Sequence, residues 1–459
     1  MIVNAFDRLY TRLVTRVDPD EVELPPDVQK DVPRNGLRLV AANTLQSSGD
    51  QMVSASTVLP WLFHVIGVPA ALVGLLVPIR ESGSMLPQAF LTPLVVRVRR
   101  RKWVFVTGAG VQAASVAVMA ATAALGHGLA AGVWILAALV VFSLGRCLCS
   151  IASKDVQGRT IPSGERGQII GLATSAAGLV AVTLGLAIRL LGGQDITAGQ
   201  IAILLTVGAV LWTLSAAVYA QVREPAGEKR SDEESAGAGS TSAADGDDAG
   251  SSDSWFADAA RLFRDDPTFR KFISVRGLLL VSSLSPPFIV SMSVAAGTHA
   301  LTGLGGFILA SGLASLIGGR IFGRMADRSS RLLMARAAAA ASLVALALVV
   351  VVLAIPGFDG GSAAGKIVFV GSYFLLTLLH SGVRVGRKTY VVDVAEGDTR
   401  TAYVAVGNTS MGIILLVVGG ISSALAVLGV QWTLVFLAVL GLVGAASALS
   451  MPDVSRGAR

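Results

Sequence analysis

Residues 223–254 read REPAGEKRSDEESAGAGSTSAADGDDAGSSDS, with nine acidic and three basic residues and no aromatic ring. Such a stretch cannot bury enough apolar surface to offset the entropy of ordering it, so it reads as a solvated linker. On either side the chain is built from apolar runs of about 20 residues, the length of a membrane-spanning helix. Six runs precede the linker, near 37–65, 69–95, 103–125, 130–153, 168–191 and 198–221; six follow it, near 271–297, 301–323, 332–356, 366–388, 403–427 and 430–450. The linker therefore separates two groups of six.

Composition supports this division. Of 459 residues 53% are hydrophobic and 15% charged, and the mean hydropathy is +0.68, more apolar surface than a soluble core needs. The expected fold is an all-α membrane protein of twelve transmembrane helices in two pseudo-symmetric six-helix bundles. The bundles span 36–222 and 269–451, joined by a linker over 223–268 and followed by a tail over 452–459.

The net charge of +7 would suit nucleic acid if it were gathered on one face, but the bases recur between apolar runs. Arg97, Arg99, Arg100, Arg101 and Lys102 follow run two, and Lys154, Arg159 and Arg166 follow run four. Arg320, Arg324, Arg328 and Arg331 follow run eight, and Arg384, Arg387, Lys388 and Arg400 surround the end of run ten. The opposite loops hold almost none, Lys366 being the exception, so the positive-inside rule places both termini and the linker in the cytoplasm.

Residues 1–34 are polar with no continuous apolar core, so no cleavable signal is expected there, and residues 1–35 read as a cytoplasmic amphipathic N-terminus. Ile2, Phe6, Leu9, Leu13 and Val17 share a helical face while Arg8, Arg12 and Arg16 line another, which fits either an amphipathic helix on the cytoplasmic leaflet or a solvated terminus. Trp255, Ala259, Leu262 and Phe263 suggest a second interfacial helix at the linker's end. Cys147 and Cys149, two apart in an apolar run, read as small buried residues.

An internal repeat agrees with the six-plus-six division. After run four the chain reads KDVQGRTIPSGERGQIIGLATS, and after run ten KTYVVDVAEGDTRTAYVAVGNTS. In each a Lys precedes an Arg by twelve residues and a small-residue run ends in Thr-Ser, as duplicated halves would give.

The segment Gly323-Arg324-Met325-Ala326-Asp327-Arg328-Ser329-Ser330-Arg331 resembles the signature loop of the major facilitator superfamily, Gly-x-Leu-Ala-Asp-Arg-x-Gly-Arg, with Ser330 replacing the second Gly. The resemblance implies a secondary transporter working by alternating access, with Gly323, Asp327, Arg328 and Arg331 forming a cytoplasmic gate. The corresponding place in the first half, TPLVVRVRRRK, has lost the pattern, Arg97 standing where the acid would be. Arg146 occupies the place of the fourth-helix arginine that antiporters of this family use near their proton site, although Ser150 replaces the accompanying Gly.

Ionisable residues at bilayer depth cost roughly 2.5–3.5 kcal/mol each on insertion scales and are functional candidates for that reason. Asn43, Gln46, Asp50 and Ser54 share one face of span one, and Glu81, Ser84 and Gln88 one face of span two. Arg80 adjoins Glu81 but lies about 100° round the helix, so one of them can pair with Asp50 while the other faces a cavity. With Arg146 and Lys154 these groups fit two accounts: ion pairs that lock helices together, or a proton carrier, Asp50 or Glu81, released as an arginine changes partner.

In the second half Ser282, Ser283 and Ser285 precede Pro286-Pro287, which should break span seven. Tyr373, Thr377, Ser381, Arg384 and Lys388 recur at four-residue steps on span ten, with His380 beside them and Asn408 on span eleven. Arg384 and Lys388 can be pathway residues or positive-inside anchors. His380 can face the cavity or pack.

Gly360–Lys366 nearly spells a phosphate-binding loop, but Ile367 stands where a magnesium-holding hydroxyl is needed. No zinc spacing or catalytic Ser-His-Asp context exists, so neither an enzyme nor a metal or other cofactor is expected. Span five lacks the Gly-Pro pair of proton-driven drug antiporters, which counts against drug efflux. The expected function is transport of a small solute, coupled to protons through Asp50 and Glu81, with the bases favouring an organic anion. The rival class is a receptor or assembly factor on the same fold. The expected setting is a monomer in the lipid bilayer of a bacterial plasma membrane, binding no nucleic acid; Arg outnumbers Lys 30 to 7, as a GC-rich genome would give.

Overall fold

The computed structural model describes residues 5–14, 26–191, 197–225, 261, 263–298, 301–394 and 397–452, apart from some side chains within helices. All described regular structure is helical. After the short α1 (Ala5–Leu13) and α2 (Pro26–Gln29), the first half contains α3 (Val32–Met52), α4 (Val58–Val65), α5 (Ala70–Met85) and α6 (Gln88–Val96). It continues with α7 (Lys102–Leu125), α8 (Gly128–Thr160), α9 (Ser163–Leu191) and α10 (Ala198–Ala220). The second half contains α11 (Pro267–Leu278), α12 (Val281–Ala295), α13 (Leu301–Arg328), α14 (Ser330–Ala354), α15 (Ala363–Val394), α16 (Gly397–Leu428) and α17 (Val430–Leu449).

Nine segments among the described residues are long and apolar enough to cross a membrane: α7, α8, α9, α10, α11 with α12, α14, α15, α16 and α17. The other expected spans fall short for physical reasons. Helix α3 carries Arg34, Arg38, Asn43, Gln46 and Asp50 and stops at Met52; α5 and α6 are parted at Leu86-Pro87; and α13 has only a shorter apolar section, Gly303–Gly318. Polar and broken helices are tolerated in a bilayer where protein or a water-filled cavity covers them.

The halves meet along two seams, α9 against α13 and α5 against α16. Small residues let the backbones approach. A Cβ on Gly419 of α16 would come 2.1 Å from Cγ of Pro78, and one on Gly185 of α9 would come 2.5 Å from the Leu309 nitrogen.

Two expectations need correction. Residues 223–225, expected to begin the solvated linker, complete the first half. The Glu224 carboxylate accepts the Arg101 and Lys102 backbone N–H groups (3.0 and 2.8 Å) at the start of α7, where it also meets the positive end of the helix dipole. Asn35 exchanges two 2.9 Å hydrogen bonds with the Arg223 backbone. Span seven breaks at Leu279-Leu280, ahead of the prolines, which lie inside α12. What the prolines remove is the N–H groups that would have satisfied the carbonyls of Ser282 and Ser283.

At the start of the chain, Tyr10 and Val14 of the α1 segment are buried while Leu9 and Leu13 are exposed. The Tyr10 hydroxyl donates to Glu165 Oε2 (2.7 Å), docking α1 on the end of the bundle that carries the linker. Trp255, Ala259 and Leu262 lie outside the described residues; Phe263 packs edge-on to Phe269 at 5.2 Å.

Candidate functional site

A cavity of about 270 Å³ lies between the halves. The charged residues lining it divide by origin: Glu81 comes from α5 in the first half, and Arg276, Arg384 and Arg387 come from α11 and α15 in the second. His380 also faces it, its Nδ1 3.2 Å from Ser282 Oγ. The Glu81 carboxylate has no hydrogen bond or ion pair among the described residues. Arg276 is 8% exposed, and its Nη2 donates to Asn408 Oδ1 at 3.2 Å while its Nε has no partner among the described residues.

Asp50 sits elsewhere, between two arginines. Arg80 Nη2 donates to Oδ1 at 2.8 Å, and Arg146 Nη1 donates to Oδ2 at 2.6 Å and Oδ1 at 2.7 Å. The choice left open by the sequence is thereby made: Arg80 takes Asp50, and Glu81, one residue on, turns into the central cavity. Asn43, Gln46, Asp50, Arg146 and Lys154 line a second cavity of about 290 Å³ within the first half. Charge-assisted hydrogen bonds of this kind are short and strong and hold α3, α5 and α8 together.

At the end of the bundle opposite the linker, the halves close over the central cavity. Thr57 and Tyr373 hydroxyls lie 2.5 Å apart, and the Phe307 ring sits between Tyr373 (5.1 Å) and Trp61 (6.0 Å). Ser311 donates to Gln51 Oε1 at 3.4 Å, also across the halves. Tyr373→Phe removes one neutral hydrogen bond, worth about 1 kcal/mol, from this closed arrangement. The expected outcome is roughly a fivefold shift towards opening at that end, read as faster labelling of a reporter cysteine there, with little change in melting temperature.

The other expected site residues are dispersed. Gln88 Nε2, at the start of α6, donates to the Ser84 carbonyl of α5 (3.0 Å). Gly323 and Asp327 fall in α13, but their side chains lie outside the described residues, as does that of Lys388. Arg328 is exposed. Arg331 donates to the carbonyls of Leu449 (3.1 Å) and Met451 (2.8 Å), tying the start of α14 to the end of α17.

Sequence reasoning passed over Arg276 and took Arg387 for a loop base. A base five residues beyond Lys271 resembles an end-of-span anchor; the usable signal was that apolar residues enclose it on both sides. The near phosphate-loop at 360–366 is a structural turn, in which Asp359 Oδ1 accepts the Gly361 N–H at 2.8 Å. Among the described residues no group of His, Cys, Asp and Glu could hold a metal ion.

A long broken-helix bundle in two halves around a polar cavity is the architecture of a solute carrier, and residues 40–364 match the Major Facilitator Superfamily. The chain belongs to that family of multi-pass membrane transporters, which are not enzymes. Among solved structures it is similar to a D-xylose–proton symporter (11% identity, TM-score 0.66, covering 92% of this chain and 98% of that one). It is also similar to the nucleoside transporter NupG (13%, 0.63, 91% and 98%) and to a POT family transporter in complex with a thioalcohol-conjugated peptide (11%, 0.66, 91% and 95%). At these identities the likeness is one of fold. No curated protein matches the chain by sequence.

Proposed function

We propose that the protein is a twelve-span secondary transporter, with both termini in the cytoplasm of a bacterium, that moves a small organic anion together with protons. The observation that carries the reading is the central cavity, where, among the described residues, three arginines and a histidine of the second half share the space with one carboxylate, Glu81, of the first, which makes no ion pair there. An anion entering this cavity is attracted by the arginines, and Glu81 is the group whose negative charge opposes its entry. Protonating Glu81 removes that repulsion, so proton and anion bind together.

Asp50 has the other role foreseen for these groups. Held by Arg80 and Arg146, it fixes α3, α5 and α8 as one body, and coupling falls to Glu81 alone. The segment Gly323–Arg331, which ends α13 and begins α14, serves as the cytoplasmic gate, with Arg331 anchoring it to α17.

Uptake into proteoliposomes under an inside-alkaline pH gradient, across a panel of organic anions, cations and neutral solutes, tests the reading. Accumulation of anions alone is expected; accumulation of cations or amphipathic drugs would contradict it.

A further inference from the structure

Between the first turns of α13 and α15, at the end of the bundle opposite the linker, lies a groove of about 570 Å³, about twice the volume of the central cavity. Gly303 and Gly306 of α13 line it, with Lys366, Ile367, Val370 and Gly371 of α15. Glycine on a spanning helix ordinarily lets a neighbouring helix pack close. No described helix does so here: a Cβ on Gly371 would meet nothing within 4 Å, and Ile367 is 73% exposed. The groove therefore opens to the bilayer.

Apart from Lys366, the walls are apolar side chains or bare backbone. Apolar space of this kind stays dry, and an unfilled groove forfeits the dispersion contacts of its walls, so hydrocarbon is what fills it. At 1.5 Å per residue the stretch from Ala363 to Gly371 covers about 12 Å, less than half of a hydrocarbon core about 30 Å thick. The groove is thus confined to one leaflet.

Lys366 stands in the first turn of α15, at the level of the lipid head groups. Its Nζ makes no hydrogen bond or ion pair among the described residues, and the nearest acid in sequence, Asp359, accepts the Gly361 N–H instead. A base on this side of the membrane also works against the charge asymmetry that sets the orientation, a cost that an anionic partner would offset.

We infer that the groove is a binding site for one anionic phospholipid of the leaflet opposite the linker, with its phosphate on the Lys366 ammonium and an acyl chain along Gly306 and Gly371. The site is independent of which solute is transported. It lies directly behind the closed end of the bundle, since a Cβ on Gly303 would come 2.9 Å from Trp61 Cη2.

The test uses the full chain in phosphatidylcholine nanodiscs doped with phosphatidylglycerol or phosphatidylcholine carrying a photoactivatable diazirine on an acyl chain. Labelled residues are mapped by mass spectrometry, and α14 around Val350 and Leu353, which are exposed in the same leaflet, serves as the reference for ordinary surrounding lipid. The ratio of phosphatidylglycerol to phosphatidylcholine labelling is expected to be about fivefold higher at the groove than at α14, the preference one lysine near the surface confers. Lys366→Gln should bring that ratio down to the α14 value. Gly371→Leu, which enters open space and replaces a poor helix former, should lower labelling by both lipids to the α14 level without lowering the melting temperature.

Equal ratios at the groove and at α14 would overturn the inference and leave only ordinary surrounding lipid there. Groove labelling unchanged in Gly371→Leu would overturn the placement of the chain. Loss of phosphatidylglycerol labelling on adding inorganic phosphate would assign Lys366 to a free anion and overturn the lipid site as well.

Discussion

Replacing Asp50 by Asn is expected to destabilise the folded protein by about 3 kcal/mol, the low end of the range for removing one partner of a buried ion pair. Asp50 is 14% exposed, Arg80 15% and Arg146 33%, so two largely buried cations would lose their shared counter-charge. The Asn side chain keeps the shape and one acceptor oxygen but cannot neutralise either guanidinium, and Arg80 Nε already has no partner among the described residues. Partial solvation of Arg146 is the reason for choosing the low end. The measurement is the melting temperature in detergent, together with the fraction of protein eluting as a single species. Adding Arg146→Gln to Asp50→Asn should recover part of the loss, because it removes one of the two stranded charges; a single variant as stable as the parent would show that the cluster does not hold these helices.

Glu81→Gln has a different expected signature. The residue makes no ion pair among the described residues, so the substitution should leave melting nearly unchanged. It should abolish accumulation driven by a pH gradient, a fall of more than about tenfold, while exchange of anion at equal concentration on both sides continues. This pattern follows because a neutral Gln imitates permanently protonated Glu: the anion still binds, but no proton need accompany it. Retained gradient-driven accumulation would move coupling to another group, Asp50 first. A loss of exchange as well as accumulation would make Glu81 part of anion binding rather than coupling.

Much of the fold was legible because lipid imposes a strict pattern. The apolar runs that became α7, α8, α10, α14 and α17 needed only length and hydropathy, and their ends are marked by Arg101, Thr160, Ser329 and Gly429. The periodicity of Asn43, Gln46 and Asp50 put these residues on one face, and they do line one cavity. Periodicity could not say which of Arg80 and Glu81 would meet Asp50, since both orientations of α5 satisfy the same spacing; in the fold Arg80 meets it, together with Arg146 from α8. The Thr57–Tyr373 contact joins residues 316 apart in sequence, and nothing local to either announces it. Arg276 was missed because a base near the start of an apolar run has an ordinary topological explanation. Pro286-Pro287 drew the expected helix break to themselves, whereas α11 had already ended at Leu278 and the serines upstream inherited the unsatisfied carbonyls.

The central claim is that the cavity between the halves opens alternately to the two sides of the membrane. The two cysteines, Cys147 and Cys149, are buried and can be replaced to give a cysteine-free background. Ser311 lines the cavity from α13, and Ser311→Cys on that background gives one reporter within it. The decisive measurement is its rate of labelling by a membrane-impermeant maleimide added to either side of oriented vesicles, with and without transported anion. Alternating access predicts labelling from the side of the linker in the absence of substrate, with labelling from the opposite side rising when substrate is present. Labelling confined to one side whatever the substrate would contradict the account and assign the fold to a fixed receptor or scaffold.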